Sequence, residues 1–177
     1  MTHMKKSMYF LLLMLAISSC TQVLFMQPIP IEAQALDRIP ESLTGTFKVS
    51  KEKDTITIFP EGIRMGQEEA MKLNGQENGD IILKPYGKGY VANVLEDSAY
   101  QLVYLVPKGK NTLLVYMPEF NDEKKLAYYA RMASRIIPKE GTKEPEKYLV
   151  QPGPGIMDEI IKRKLLSKPT KLKRLGK

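Results

Sequence analysis

Cysteine and histidine are the side chains most often used for nucleophilic, redox and metal chemistry, and this chain of 177 residues has one of each. They are Cys20 and His3, so residues 21–177 contain neither. Ser-His-Asp triads, Cys-His pairs and zinc sites built on these ligands are therefore excluded from that part of the chain. Adjacent acids such as Glu68-Glu69 lack the spacing of a cation-binding loop. We expect no enzymatic activity, no metal and no cofactor.

The first twenty residues have the composition of a secretory signal peptide. Two lysines precede an apolar run at residues 8–17, and small residues follow before the cysteine. Ile17-Ser18-Ser19-Cys20 resembles the lipobox of bacterial lipoproteins, which has an aliphatic residue, two small residues and a cysteine. The resemblance implies that the chain before Cys20 is removed and that its thiol is acylated, which anchors the protein in a membrane.

Two alternative interpretations of the amino terminus stay open. Apolar residues resume shortly after the cysteine, so residues 8–26 approach the ~20 residues that a membrane-spanning helix needs. Ala33-Gln34-Ala35 matches the A-x-A pattern of an ordinary signal-peptidase site, and cleavage there releases a soluble protein. All three interpretations place the domain outside the cytoplasm. Thr21, rather than an aspartate, follows the cysteine, and the lipoprotein resemblance then implies the outer membrane.

Composition and length indicate one globular domain. The chain is 43% hydrophobic and 27% charged, which is typical neither of disordered nor of fibrous proteins. Its net charge is +7, but residues 162–177 alone carry eight basic residues and no acidic one. We expect this basic tail to be a solvated segment, with contact to anionic lipid, glycan or an envelope protein as the alternative. Nucleic acid is not an expected partner of an exported protein.

The middle of the chain has the pattern of short β-strands. Runs rich in Val, Ile, Thr, Phe and Tyr lie between positions 45 and 118, and Asn-Gly, Gly-Lys and Glu-Asp-Ser turns separate them. This pattern predicts a mainly β fold with two C-terminal helices (α+β). The strands form a small antiparallel meander that closes into a barrel or a curled sheet, lipocalin-like at most.

Two resemblances accompany the first strand of this meander. Gly45-Thr46-Phe47 resembles the G-x-aromatic opening of lipocalin-like barrels. Residues 39–47, IPESLTGTF, are similar to the start of the β meander in a group of small β-rich Bacteroidota-type lipoproteins of unknown function. The second resemblance implies a cellular address and a fold class, and it implies no activity.

The predicted organisation has four parts. Residues 1–19 are the signal peptide, and residues 20–43, with three prolines, are the lipidated cysteine and an extended tether. Residues 44–155 form the β-rich domain with a packed helix at 122–136, where apolar residues recur at spacings of three and four. Residues 156–177 are a short helix, up to position 166, and the basic tail.

Four tyrosines are candidate ligand-lining residues. Tyr90, Tyr100, Tyr104 and Tyr116 lie on consecutive predicted strands, and alternation places Tyr100 and Tyr104 on one face. Tyrosines on such a face are ordinary core residues, or they hold an apolar ligand or glycan through ring and hydroxyl. The sequence therefore favours a membrane-anchored envelope lipoprotein with a structural or interaction role. The alternative is a lipocalin-like carrier or sensor of a small apolar ligand.

Overall fold

The computed structural model describes residues 21–49, 55–67, 70–73, 80–119, 121–141 and 145–176. Cys20, the residues before it and the Glu68-Glu69 pair lie outside the described residues, so the signal peptide and the lipidation of Cys20 stay predictions. No helix within the described ranges is both long and apolar enough to cross a bilayer.

The described chain is mainly β, as the sequence predicts, with two helices in its last third. The strands are β1 (Gln22–Phe25), β2 (Gly45–Val49), β3 (Thr55–Phe59), β4 (Gly62–Met65), β5 (Met71–Lys72), β6 (Ile81–Tyr86), β7 (Gly89–Glu96), β8 (Ala99–Lys108), β9 (Thr112–Tyr116), β10 (Ala133–Pro138), β11 (Pro145–Val150) and β12 (Thr170–Arg174). The helices are α1 (Glu123–Met132) and α2 (Ile156–Lys162).

All of these strands belong to one curled sheet. Its order is β10-β11-β1-β8-β9-β12-β2-β3-β4-β5, and the β6–β7 hairpin joins it through β7, which pairs with β8. These strands pair antiparallel except for β1 and β11, which are parallel, so the sheet is mixed. The sheet is not closed. The curled-sheet form of the prediction is confirmed, and the barrel form is wrong.

Alternating side chains give this sheet an inner and an outer face. In β8, Val103 and Leu105 lie in the core inside the curl, whereas Leu102 and Tyr104 belong to the outer face. The hairpin between β7 and β8 turns at Asp97, whose φ is +55°, a conformation that aspartate tolerates better than most residues. The turn signals of the sequence therefore mark where the strands reverse.

The outer face carries a second core beneath the two helices. It is built from β1, β7, β8 and β11 on the sheet side and from α1 and α2 on the other. Phe25, Ile29, Tyr129, Met157 and Ile160 are all fully buried there. The inner core and this outer core share the strands β7 and β8, which links the stability of the helical layer to that of the curled sheet.

Residues 20–43 are not an extended tether, and that prediction is wrong for the part that the structure describes. β1 lies inside the sheet between β11 and β8, and Val23 and Phe25 have no exposed surface. Further along, Ile39 and Leu43 are buried in the inner core. The prolines favour a solvated segment, but Phe25, Ile29 and Ile39 are buried, and burial of a side chain of this size stabilises the folded state by about 1.5–3 kcal/mol.

A buried asparagine holds the segment that follows β1. Asn93 of β7 accepts a hydrogen bond from the Ile29 N–H through Oδ1 and donates through Nδ2 to the Ile29 carbonyl, both at 2.8 Å. Its Nδ2 also donates to the carbonyl of Ile82 at 3.1 Å. The ammonium of Lys84 donates to the carbonyls of the two prolines that flank Ile29, each at 3.1 Å. The N-terminal segment is therefore fixed to β6 and β7 by directed polar contacts as well as by apolar packing.

Residues 162–177 are not a solvated tail, so this prediction is also wrong. β12 lies between β9 and β2, and Leu172 is only 2% exposed, while the lysines on either side of it are exposed. Arg174 donates from Nη2 to the carbonyl of Ser42 at 3.0 Å and lies 5.2 Å from the ring centroid of Phe47. The prediction of a solvated tail rests on the number of basic residues. That number does not show that Leu172, between two exposed lysines, is the inward-facing residue of a strand.

Both helices are shorter than predicted. α1 ends at Met132 instead of residue 136, and α2 ends at Lys162 instead of residue 166. From Ala133 the chain continues as β10, which pairs antiparallel with β11. The apolar spacing of the helix happens to continue into this strand, but two β-branched isoleucines and the backbone partners on β11 favour the extended conformation.

Removing the asparagine side chain should destabilise the whole domain. Asn93→Leu leaves the buried N–H and carbonyl of Ile29 without partners, and we expect a loss of about 3 kcal/mol in the free energy of unfolding by urea denaturation. The control, Asn111→Ala, changes an exposed turn residue and should cost less than about 0.5 kcal/mol. Equal, small effects of both substitutions would show that the contact with Ile29 is dispensable.

Candidate functional site

The interior of the curled sheet is filled. It leaves a cavity of about 30 Å³, room for roughly one water molecule, whereas ligand pockets measure roughly 300–1,000 Å³. None of the four candidate tyrosines lines this cavity. Its lining is entirely aliphatic and consists of Ile56, Ile58, Ile63, Ala92, Val94, Val103, Leu105, Leu113, Val115 and Leu172.

The structure places three of the four candidate tyrosines on the outer face and brings two of them, Tyr104 and Tyr116, into contact. Tyr100 and Tyr104 share one face of β8, as the alternation predicts, and the ring centroid of Tyr116 lies 5.9 Å from that of Tyr104. Tyr86 of β6, which is not among the candidates, contacts Tyr104 edge-to-face at 5.8 Å. Tyr90 lies apart from them and packs against the inner core.

Two of the tyrosine hydroxyl groups on the outer face, those of Tyr86 and Tyr104, form hydrogen bonds within the fold. Tyr86 donates to Oδ1 of Asp158 in α2 at 2.5 Å, and Tyr104 donates to the backbone carbonyl of Tyr86 at 3.4 Å. Burial raises the pKa of both phenols, and the hydrogen bond to Asp158 raises the pKa of Tyr86 further, so both hydroxyls stay protonated. The hydrogen bond from Tyr86 to Asp158 connects α2 to the sheet.

A solvent-open groove between the two helices has the chemistry of a binding site. We call it the basic groove. It has a volume of about 430 Å³ and is lined by Asp122, Lys124, Lys125, Tyr128, Lys162, Arg163 and Leu165. Four of these seven side chains are cationic and one is anionic, so the groove is electropositive and suited to an anion.

Hydrogen bonds across the helices hold the walls of the basic groove. Glu159 of α2 accepts from the Arg163 guanidinium at 2.6 Å and from the Tyr128 hydroxyl of α1 at 2.9 Å. The guanidinium lies 4.4 Å above the Tyr128 ring. The hydrogen bonds from Arg163 and then Tyr128 hold the pKa of Glu159 below its usual value. Beneath them, the buried Tyr129 hydroxyl donates to the Leu165 carbonyl at 3.1 Å.

The one carboxylate that lines the basic groove is already occupied. Asp122 is the N-cap of α1, and its Oδ1 accepts from the backbone N–H groups of Lys124 and Lys125. The ammonium of Lys125 donates to the carbonyl of Leu166 at 3.1 Å. Among the described residues, neither Lys124 nor Lys162 forms an ion pair. Their two ammonium groups therefore remain available to an anionic ligand from opposite walls.

Reasoning from the sequence missed the α1 side of this groove. The sequence-based prediction places Lys162 and Arg163 in the basic tail and gives no role to Lys124 and Lys125. One signal was present: Lys124 and Lys125 lie in the first turn of a helix, where the helix dipole disfavours positive charge. Cations placed against that preference indicate either a nearby acid or a site for an external anion.

Comparison of the chain with protein-family models, with curated proteins and with solved structures finds no match.

Charge reversal on the two walls of the basic groove should weaken its binding of anions. We expect the protein to bind inorganic tripolyphosphate in low-salt calorimetry and to lose affinity as salt rises. Lys124→Glu with Lys162→Glu should weaken binding at least tenfold, which is about 1.4 kcal/mol. The control, Lys171→Glu with Lys173→Glu on the exposed side of β12, makes the same change in net charge. Equal weakening by both pairs would mean that overall charge, and not the groove, attracts the anion.

Proposed function

We propose that this protein is a non-enzymatic lipoprotein of the cell envelope, anchored in the outer membrane through acylated Cys20. Its role is to bind an anionic component of the envelope, such as a lipid headgroup, a glycan or an acidic protein surface, in the basic groove. Nucleic acid is not among the proposed partners.

The observation that carries the anchoring proposal is the position of β1. This strand begins at Gln22, two residues after Cys20, and lies between β11 and β8 in the sheet. Cleavage before Cys20 therefore keeps the whole described fold. It also leaves the lipid-bearing residue directly beside the folded domain.

The two other interpretations of the amino terminus conflict with this packing. Cleavage after Ala35 would remove β1 and Ile29 and would leave facing edges of β8 and β11 without their partner. A membrane-spanning helix over residues 8–26 would need Val23 and Phe25 in the bilayer, whereas both are fully buried in the domain. Without them too few apolar residues remain for the ~20 that a spanning helix needs.

The filled interior supports an interaction role over ligand carriage. A lipocalin-like carrier needs an open cavity, and the cavity inside the curl has room for about one water molecule. On the outer face, Tyr86 and Tyr104 pack against each other, and their hydroxyl groups donate to Asp158 of α2 and to the backbone. The basic groove, in contrast, is open, has walls joined by hydrogen bonds and carries two ammonium groups without ion-pair partners in the described chain.

The anchor is tested by the intact mass of the protein. We expect the full chain, produced in a host that processes lipoproteins, to yield a membrane-bound species that begins at Cys20 and carries added acyl mass. Cys20→Ser should lose the acyl mass and leave the membrane fraction. An unmodified species that begins at Leu36 would instead establish a released, soluble protein and contradict the anchoring proposal.

A further inference from the structure

The start of β1 lies close to the turn that joins β7 to β8. Gln22 is in register with Lys147 of the parallel strand β11, and the ammonium of Lys147 lies 3.8 Å from Glu96 and 3.2 Å from Asp97. We call the surface formed by Thr21, Glu96, Asp97 and Lys147 the proximal surface. It combines the first described residue of the chain with the turn that joins β7 to β8.

The chain leaves almost no slack between this surface and Cys20. Two residues of fully extended chain span at most about 7 Å. The next residue after Gln22 is Val23, which has no exposed surface, and the chain stays buried through Phe25. The connection cannot lengthen unless apolar side chains leave the core.

We propose that the proximal surface rests on the lipid headgroups of the membrane that holds the acylated Cys20, with no tether between the domain and the bilayer. This inference depends on the anchor proposed above. Acyl chains on Cys20 place that residue at the level of the headgroups. The proximal surface then lies within about 7 Å of Cys20, the length of two extended residues.

The charges of the proximal surface are compatible with this contact. Lys147 contacts both Glu96 and Asp97 and offsets one of their two negative charges, so these three groups together carry one negative charge instead of two. The ammonium can contact a headgroup phosphate, and the carboxylate charge that it leaves over can contact a choline or ethanolamine group of a zwitterionic lipid.

The strand β8 leads away from the proximal surface. It begins after the turn at Asp97 and Ser98 and runs for ten residues to the turn at Gly109 and Lys110. At about 3.3 Å per residue the two turns are roughly 30 Å apart. When the first turn rests on the headgroups, the second should project away from the bilayer.

The arrangement is tested with fluorescent labels at the two turns. Cys20 is the only cysteine and its sulfur is blocked by acylation, so a second cysteine can be labelled alone. Ser98→Cys and Lys110→Cys change exposed residues in the two turns. The acylated full-length variants are placed in phosphatidylcholine vesicles that contain a lipid with a nitroxide on its headgroup. We expect several-fold quenching of the label at position 98 and unchanged emission at position 110.

A linker insertion provides the matched control. Ten Gly/Ser residues between Thr21 and Gln22 add roughly 17 Å of flexible chain and should abolish the quenching at position 98. Absence of quenching at position 98 without the linker, or equal quenching at both positions, in protein of acylated mass would overturn the orientation and leave the anchor intact. Protein that lacks the acyl mass would refute the anchor itself and, with it, this inference.

Discussion

The burial of one four-residue strand is the constraint on which this structure depends. β1 joins β11 to β8, and its apolar side chains enter the outer core together with those of both helices. Asn93 fixes the backbone of Ile29 just beyond it with two hydrogen bonds of 2.8 Å. A buried amide that is fully satisfied stabilises one arrangement, because any shift of the segment leaves polar groups unpaired in an apolar environment.

The basic groove follows from the layer that β1 supports. The helices meet the outer face of the sheet through Tyr129, Met157 and Ile160, and this packing brings the N-terminal end of α1 beside the C-terminal end of α2. Each of these two helix ends contributes lysines. Asp122 is the N-cap of α1, and Glu159 accepts hydrogen bonds from Arg163 and Tyr128. Positive charge therefore accumulates on an open surface of the folded domain rather than along a solvated tail.

The β-rich fold class and the strands of the central meander could be predicted because they rest on local alternation and turn residues. Tyr100 and Tyr104 were placed on one face for the same reason. β1 and β12 were missed because each gains its stability from partners distant in sequence, such as the pairing of Leu172 with β9 and β2. The sequence predicts that α1 ends four residues too far along the chain, because Ala133 fits the apolar spacing of the helix and also pairs with β11 in an edge strand. The groove was missed because it exists only where two helices meet.

The anchoring proposal depends on β1 being part of the domain, and this can be measured directly. Two chains, residues 21–177 and residues 36–177, would be compared by urea unfolding and by the dispersion of their amide NMR spectra. We expect the longer chain to unfold cooperatively with dispersed resonances and the shorter chain to lack a folded state. A shorter chain that folds with the same free energy of unfolding would contradict the account, because β1 would then be dispensable.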